Sequence, residues 1–143
     1  MPSSTLTLFN AFKEHVAEKV HNLGSDTLTV AMSAAANAPN TSTMSVLADV
    51  TQISYTNCSS RVLTISSSAQ TSGTWKLVLA DLTLTASGGS VGPFRYVYLY
   101  NDTPTSPADP LIGYLDYGSD ITLASGESLL IDFDATNGIL QMA

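Results

Sequence analysis

The chain has 143 residues, enough for one domain with a core of its own and too few for two ordinary ones. Only 12% of its residues are charged while 44% are hydrophobic, and Ser and Thr make up a quarter of the chain (19 and 17). This composition excludes intrinsic disorder, which needs low hydrophobicity and high charge. It favours a β-rich body with a neutral, hydroxyl-bearing surface. The net charge of −7, with five Lys and Arg in all, argues against a nucleic-acid partner, because phosphate affinity comes from cations.

The elements follow in chain order. Met1–Ser4 has neither a charged nor an apolar leader region, so no secretory signal is expected. Thr7 is a candidate cap and Gly24 a candidate C-terminal glycine for an amphipathic helix over residues 8–23. On its apolar stripe lie Phe9, Phe12, Val16, Val20 and Leu23, spaced by 3, 4, 4 and 3. Residues 1–26 thus read as an arm and helix, and 27–143 as the β body of the same domain.

Thr27–Ser33 alternates and reads as a half-buried strand. Residues 34–45 read as a loop, and 46–53 as holding a short helical turn. Further strands are expected at 62–67, 74–79, 82–85, 94–100, 111–117, 121–124, 129–133 and 139–142. Turns are expected at Ser87–Ser90, Gly118-Ser119, Ser125-Gly126 and Asn137-Gly138. Pro104, Pro107 and Pro110 mark residues 101–110 as an exposed loop. The fold class expected is mainly β: an N-terminal amphipathic helix followed by a jelly-roll-like β-sandwich.

Chemistry is sparse. Cys58 is the single cysteine and makes no internal disulfide. His15 and His21 are six apart, which is not the i, i+4 spacing of a helical metal pair. No phosphate loop or catalytic triad stands out, so no catalytic, cofactor or metal residues are assigned and no enzyme is expected. No stretch reaches the roughly 20 apolar residues of a membrane helix, so no membrane partner is expected. The acids are unevenly placed. Residues 1–100 hold five acids and five bases, whereas 101–143 hold seven acids and no base. Within that acidic tail, Asp132, Asp134 and Asn137 offer oxygens to a hard cation, although the set is no complete loop motif.

Phe94–Tyr100 is the most β-like stretch, with Tyr96, Tyr98 and Tyr100 on one face and Val97 and Leu99 on the other. The tyrosine face has two readings. It is an exposed surface for protein contact or carbohydrate stacking, or it is a cross-strand aromatic set that stabilises a sheet. With Phe9 and Phe12, these tyrosines are the candidate protein-contact residues.

Several stretches carry a resemblance: residues 8–13 (LFNAFK) with 21–28 (HNLGSDTL), 71–74 (TSGT) with 77–81 (LVLAD), and 85–89 (TASGG) with 92–96 (GPFRY). Residues 111–114 (LIGY) and 132–138 (DFDATNG) complete the set. In these the chain resembles small virion proteins of tailed bacteriophages, of the capsid decoration (cement) type. The resemblance implies a homo-oligomer, a trimer for example, on the capsid exterior after synthesis in the host cytoplasm. Its implied partner is the major capsid protein, whose neighbouring subunits it ties together. The alternatives are a tail or fibre subunit, or a carbohydrate-binding β-sandwich module using the tyrosine face.

Overall fold

In the computed structural model, residues 5–143 are described; Met1–Ser4, read above for a leader, lie outside them. The protein is mainly β, built from antiparallel sheets. Its strands are β1 (Thr7–Leu8), β2 (Leu28–Ser33), β3 (Ile65–Thr71), β4 (Thr74–Leu79) and β5 (Leu82–Thr85). They continue with β6 (Val91–Asn101), β7 (Leu111–Leu123), β8 (Ser128–Ile131) and β9 (Leu140–Met142). One helix, α1 (Asn10–Ala17), follows β1, and a 3-10 turn at Leu47–Asp49 falls within the helical turn expected at 46–53. The sheet orders are β1-β7-β6-β2, β3-β4-β9 and β5-β8.

The helix is half the expected length. It stops because Lys19 takes a left-handed conformation (φ 66°). The chain then bends, and the Val20 N–H reaches back to the His15 carbonyl. His21 and Leu23 return to the same apolar interior through this bend rather than through two more helical turns. Neither Thr7 nor Gly24 caps the helix. Thr7 pairs with Tyr114 in the sheet, and Phe9 sits at the cap position with no side-chain cap bond. The carbonyl of Thr41, from the 34–45 loop, accepts the Asn10 N–H instead, satisfying one of the donors a helix start leaves open. The arm is stitched into the body, since β1 pairs with β7 and Phe9 N–H donates to the Ile112 carbonyl.

Two hydrophobic clusters explain the burial. The larger draws Leu28, Val30 and Met32 from β2, Val97 and Leu99 from β6, Leu77 and Leu79 from β4, and Leu84 and Ile131 from β5 and β8. The smaller holds Phe9, Ala31, Val50, Tyr96, Tyr98, Tyr100 and Leu111. They lie on opposite faces of the β2–β6 pair. For that reason β2 is buried along its whole length, not half-buried as its alternation suggests. An apolar–polar alternation marks one dry face, but here the second face, with Thr29, Ala31 and Ser33, is dry as well.

The turn expected at Gly118-Ser119 is instead an excursion within one long strand. Tyr96 faces Asp116 and Phe94 faces Ile121, so residues 117–120 lie opposite Arg95 alone. Gly118, at φ 101°, supplies the conformation this bulge needs. At the other end of β7 a missing side chain matters. A Cβ on Gly113 would lie 2.7 Å from the Thr7 carbonyl oxygen, so only glycine lets β1 approach β7 this closely.

Candidate functional site

The five candidate contact residues are all inside the chain's own core. Phe9 and Tyr98 are fully buried (0% exposed), and Phe12, Tyr96 and Tyr100 are at 6%, 7% and 5%. The tyrosine ladder is therefore not a stacking platform for a sugar, and the carbohydrate-binding alternative loses its surface. Of the two readings of the ladder, the sheet-stabilising one stands. The rings of Phe9 and Tyr98 stack at 6.0 Å, Phe9 tilts against Tyr114 at 5.9 Å, and Tyr96 meets Tyr114 edge-on at 6.1 Å. The Tyr98 hydroxyl accepts from Ser33 Oγ at 3.4 Å and donates to the Asn37 carbonyl at 3.5 Å. Burial raises the Tyr98 phenol above its usual pKa. Val97 and Leu99 point into the larger cluster, as the alternation indicates.

His15 and His21 are both partly internal. The His21 ring packs on Phe12 at 5.1 Å and faces the His15 ring at 6.1 Å. Asn101 Nδ2 donates to Asp26 Oδ2 at 2.6 Å and lies 3.1 Å from His21 Nδ1. The amide is held in that orientation because its Oδ1 accepts the Thr103 N–H. His21 Nδ1 is thus the acceptor and Nε2 carries the ring proton. That Nε2 is buried with no partner among the described residues. Burial first, then the His15 charge, lowers the His21 pKa to about 4, while Asp26 opposes the shift. The group is a neutral clip between the arm and β6.

Of the seven acids in residues 101–143, Asp102, Asp120, Glu127, Asp132 and Asp134 are exposed, and Asp109 and Asp116 are half-buried. Asp134 accepts the N–H groups of Thr136 and Asn137 and the Asn137 side-chain amide at 2.8, 2.8 and 2.9 Å. These bonds hold its carboxyl below the usual range. Asn137 therefore turns its amide nitrogen, not its oxygen, toward Asp134. Among the described residues no group of three or more His, Cys, Asp or Glu is placed to hold a metal ion. Arg95 grips Asp116 through two bonds of 2.8 and 3.0 Å, and this pairing lowers the Asp116 carboxyl. Cys58 is half-buried, and burial raises its thiol pKa.

The surface features that sequence reading passed over lie elsewhere. A groove of about 520 Å³ runs between the segment after α1 and the β3-β4-β9 sheet, bounded by Val16, His21, Leu23, Trp75 and Met142. Trp75 Nε1 donates to Ser68 Oγ at 3.1 Å, which fixes the indole in its wall. Met142 is 55% exposed, and Val62 and Leu130 are 49% and 46% exposed. The groove was not legible in the sequence, since it forms between segments about 50 and 120 positions apart. The sheet β3-β4-β9 presents Ser, Thr, Ala and Gln, with Lys76 its only charged residue.

Comparison with protein-family models, curated proteins and solved structures yields no match for this chain.

Proposed function

We propose that the chain is a non-enzymatic structural protein of a bacteriophage virion. It sits on the outside of the capsid as a homo-oligomer and ties neighbouring major capsid protein subunits together. A layered β-sandwich, jelly-roll-like in its course, is the architecture that goes with this reading. The observation that carries it is the distribution of surface chemistry. The β3-β4-β9 sheet is hydroxyl-rich with a single charged residue, Lys76, while the last 43 residues hold the whole net charge. A face so poor in charge packs against another protein with little charge to desolvate. The acidic remainder keeps the particle soluble and repels free nucleic acid. The sequence resemblance supports the same assignment. Contacts of modest area suffice, because attachment repeated over a symmetric shell multiplies weak affinities.

The test is to add the purified protein to shells that lack it and reconstruct the particle. Density over the junctions of capsid subunits, with a higher melting temperature of the decorated shell, is the expected result. Density confined to the tail or fibres, or identical melting with and without the protein, overturns the proposal.

A further inference from the structure

The antiparallel sheets of this fold have edges, and most are closed or short. The outer side of β2 is covered by residues 61–63: Val30 N–H donates to the Arg61 carbonyl, and Leu63 N–H to the Leu28 carbonyl. Residues 58–59 lie along β5, bridging Cys58 to Ala86 and bonding the Ser59 N–H to the Thr85 carbonyl. β1 has two residues, β9 three and β8 four. β3 is different. It has seven residues, five of them exposed, and among the described residues no strand lies on the side away from β4. It also carries none of the usual protections of a free edge, having no charge and no proline; its one bulge, between Ile65 and Ser67, leaves residues 67–71 regular.

The direction of its free backbone groups follows from the hairpin. Ser72 (φ 53°) and Gly73 (φ 87°) form a two-residue turn of the type that closes on a hydrogen-bonded pair, here Thr71 and Thr74. Along an antiparallel ladder hydrogen-bonded and non-bonded positions alternate. Thr71, Ala69 and Ser67 therefore bond to β4, and Ser68 and Gln70 turn their N–H and C=O outward.

We infer that β3 is a self-pairing edge: two copies of the chain join antiparallel through Ser67–Thr71 about a two-fold axis at Ala69, merging their β3-β4-β9 sheets. The occupant is a second copy because this register is self-complementary. Ser68 of each copy faces Gln70 of the other, which gives four backbone hydrogen bonds. Ala69 meets Ala69 at the axis, where a small side chain is needed, and Ser67 meets Thr71 as a hydroxyl pair. A chain of charge −7 repels its copies in general, but this strand brings no acid to the contact. A two-fold contact of this kind builds a dimer, not a trimer. The inference deepens the homo-oligomer part of the reading above, and it is tested without any shell, so it can fail while capsid attachment stands.

The experiment is light scattering coupled to size exclusion up to about 1 mM chain, where even weak association is populated. Wild type should reach twice the mass of the 15.0 kDa chain. Gln70→Pro removes an outward N–H and should return the monomer, whereas Gln70→Ala keeps that N–H and should remain a dimer. Ala69→Glu, on the solvent face, sets two carboxylates against each other at the axis and should also give the monomer. It carries the test if Gln70→Pro loses its circular dichroism signature. Monomeric wild type at about 1 mM, a trimer, or a dimer that persists in Ala69→Glu overturns the inference.

Discussion

Replacing Phe9 by Ala is expected to cost stability near the top of the range for buried aromatics. Phe9 is completely buried, stacked on Tyr98 and tilted against Tyr114. Removing a core Phe side chain costs about 3–5 kcal/mol, depending on how far the surroundings collapse. Collapse is restricted here, because the neighbouring rings stand on β6 and β7, whose paired backbones cannot shift independently. About 4–5 kcal/mol is therefore expected. For a domain near 150 residues each kcal/mol lowers the melting temperature by roughly 3–4 °C, so the shift is roughly 12–20 °C. Phe9→Leu keeps most of the volume and loses mainly the ring contacts, worth about 0.5–1.5 kcal/mol. Urea titrations of the three proteins, followed by circular dichroism, give the energies if the slopes agree. A loss below about 1 kcal/mol for the alanine variant would refute the packing argument and make the arm a segment that docks mainly on another molecule.

His21 gives a pH dependence with a definite sign. Its folded pKa of about 4 lies below the ordinary 6.5, so the folded state disfavours the proton. The associated stability is present above pH 6.5 and is lost as the pH falls toward 4. Discounted for its partial exposure, the loss is about 1–2 kcal/mol. Denaturation midpoints measured across that window should fall in wild type and stay flatter in His21→Gln; equal slopes would contradict the clip. Gly113→Ala forces a methyl against the Thr7 carbonyl and should cost about 1–3 kcal/mol. Its clearest sign should be faster amide exchange in β1, and unchanged exchange there would count against the close approach. Cys58, with its raised thiol pKa, should react with a disulfide reagent more slowly in the native chain than in urea. Equal rates would show an accessible thiolate instead.

The sequence made much of this fold legible and hid particular parts of it for physical reasons. β4 and β5 match the expected residues because each shows one apolar face and ends at a clear break. The core role of Val97 and Leu99 was readable from alternation alone. Hidden were the early end of the helix and the burial of the tyrosines. Lys19 ends α1 in a left-handed conformation that glycine or asparagine would have signalled and lysine does not. The tyrosines look like a surface because their hydroxyls suit one, yet the arm folds Phe9 over them, a contact between residues about 90 positions apart. The uneven placement of the acids was legible, seven of them and no base in residues 101–143, but not that the same stretch supplies β7 with its buried Leu111, Ile112, Leu115 and Leu123. The β3 edge was missed for a simpler reason: a free edge is a property of sheet order, which no local pattern encodes.

From Tyr96 to Asn101 the strand β6 is buried on both faces, one in each hydrophobic cluster. Neither cluster can come apart without exposing a side of the strand that holds the other in place. The two cores should therefore melt as one cooperative unit, with calorimetric and van't Hoff enthalpies in agreement. The amide protons of β6 should be among the last to exchange, since reaching them requires opening the whole molecule. A protein built this way has no weak half to shed under load; it keeps its shape until it loses all of it.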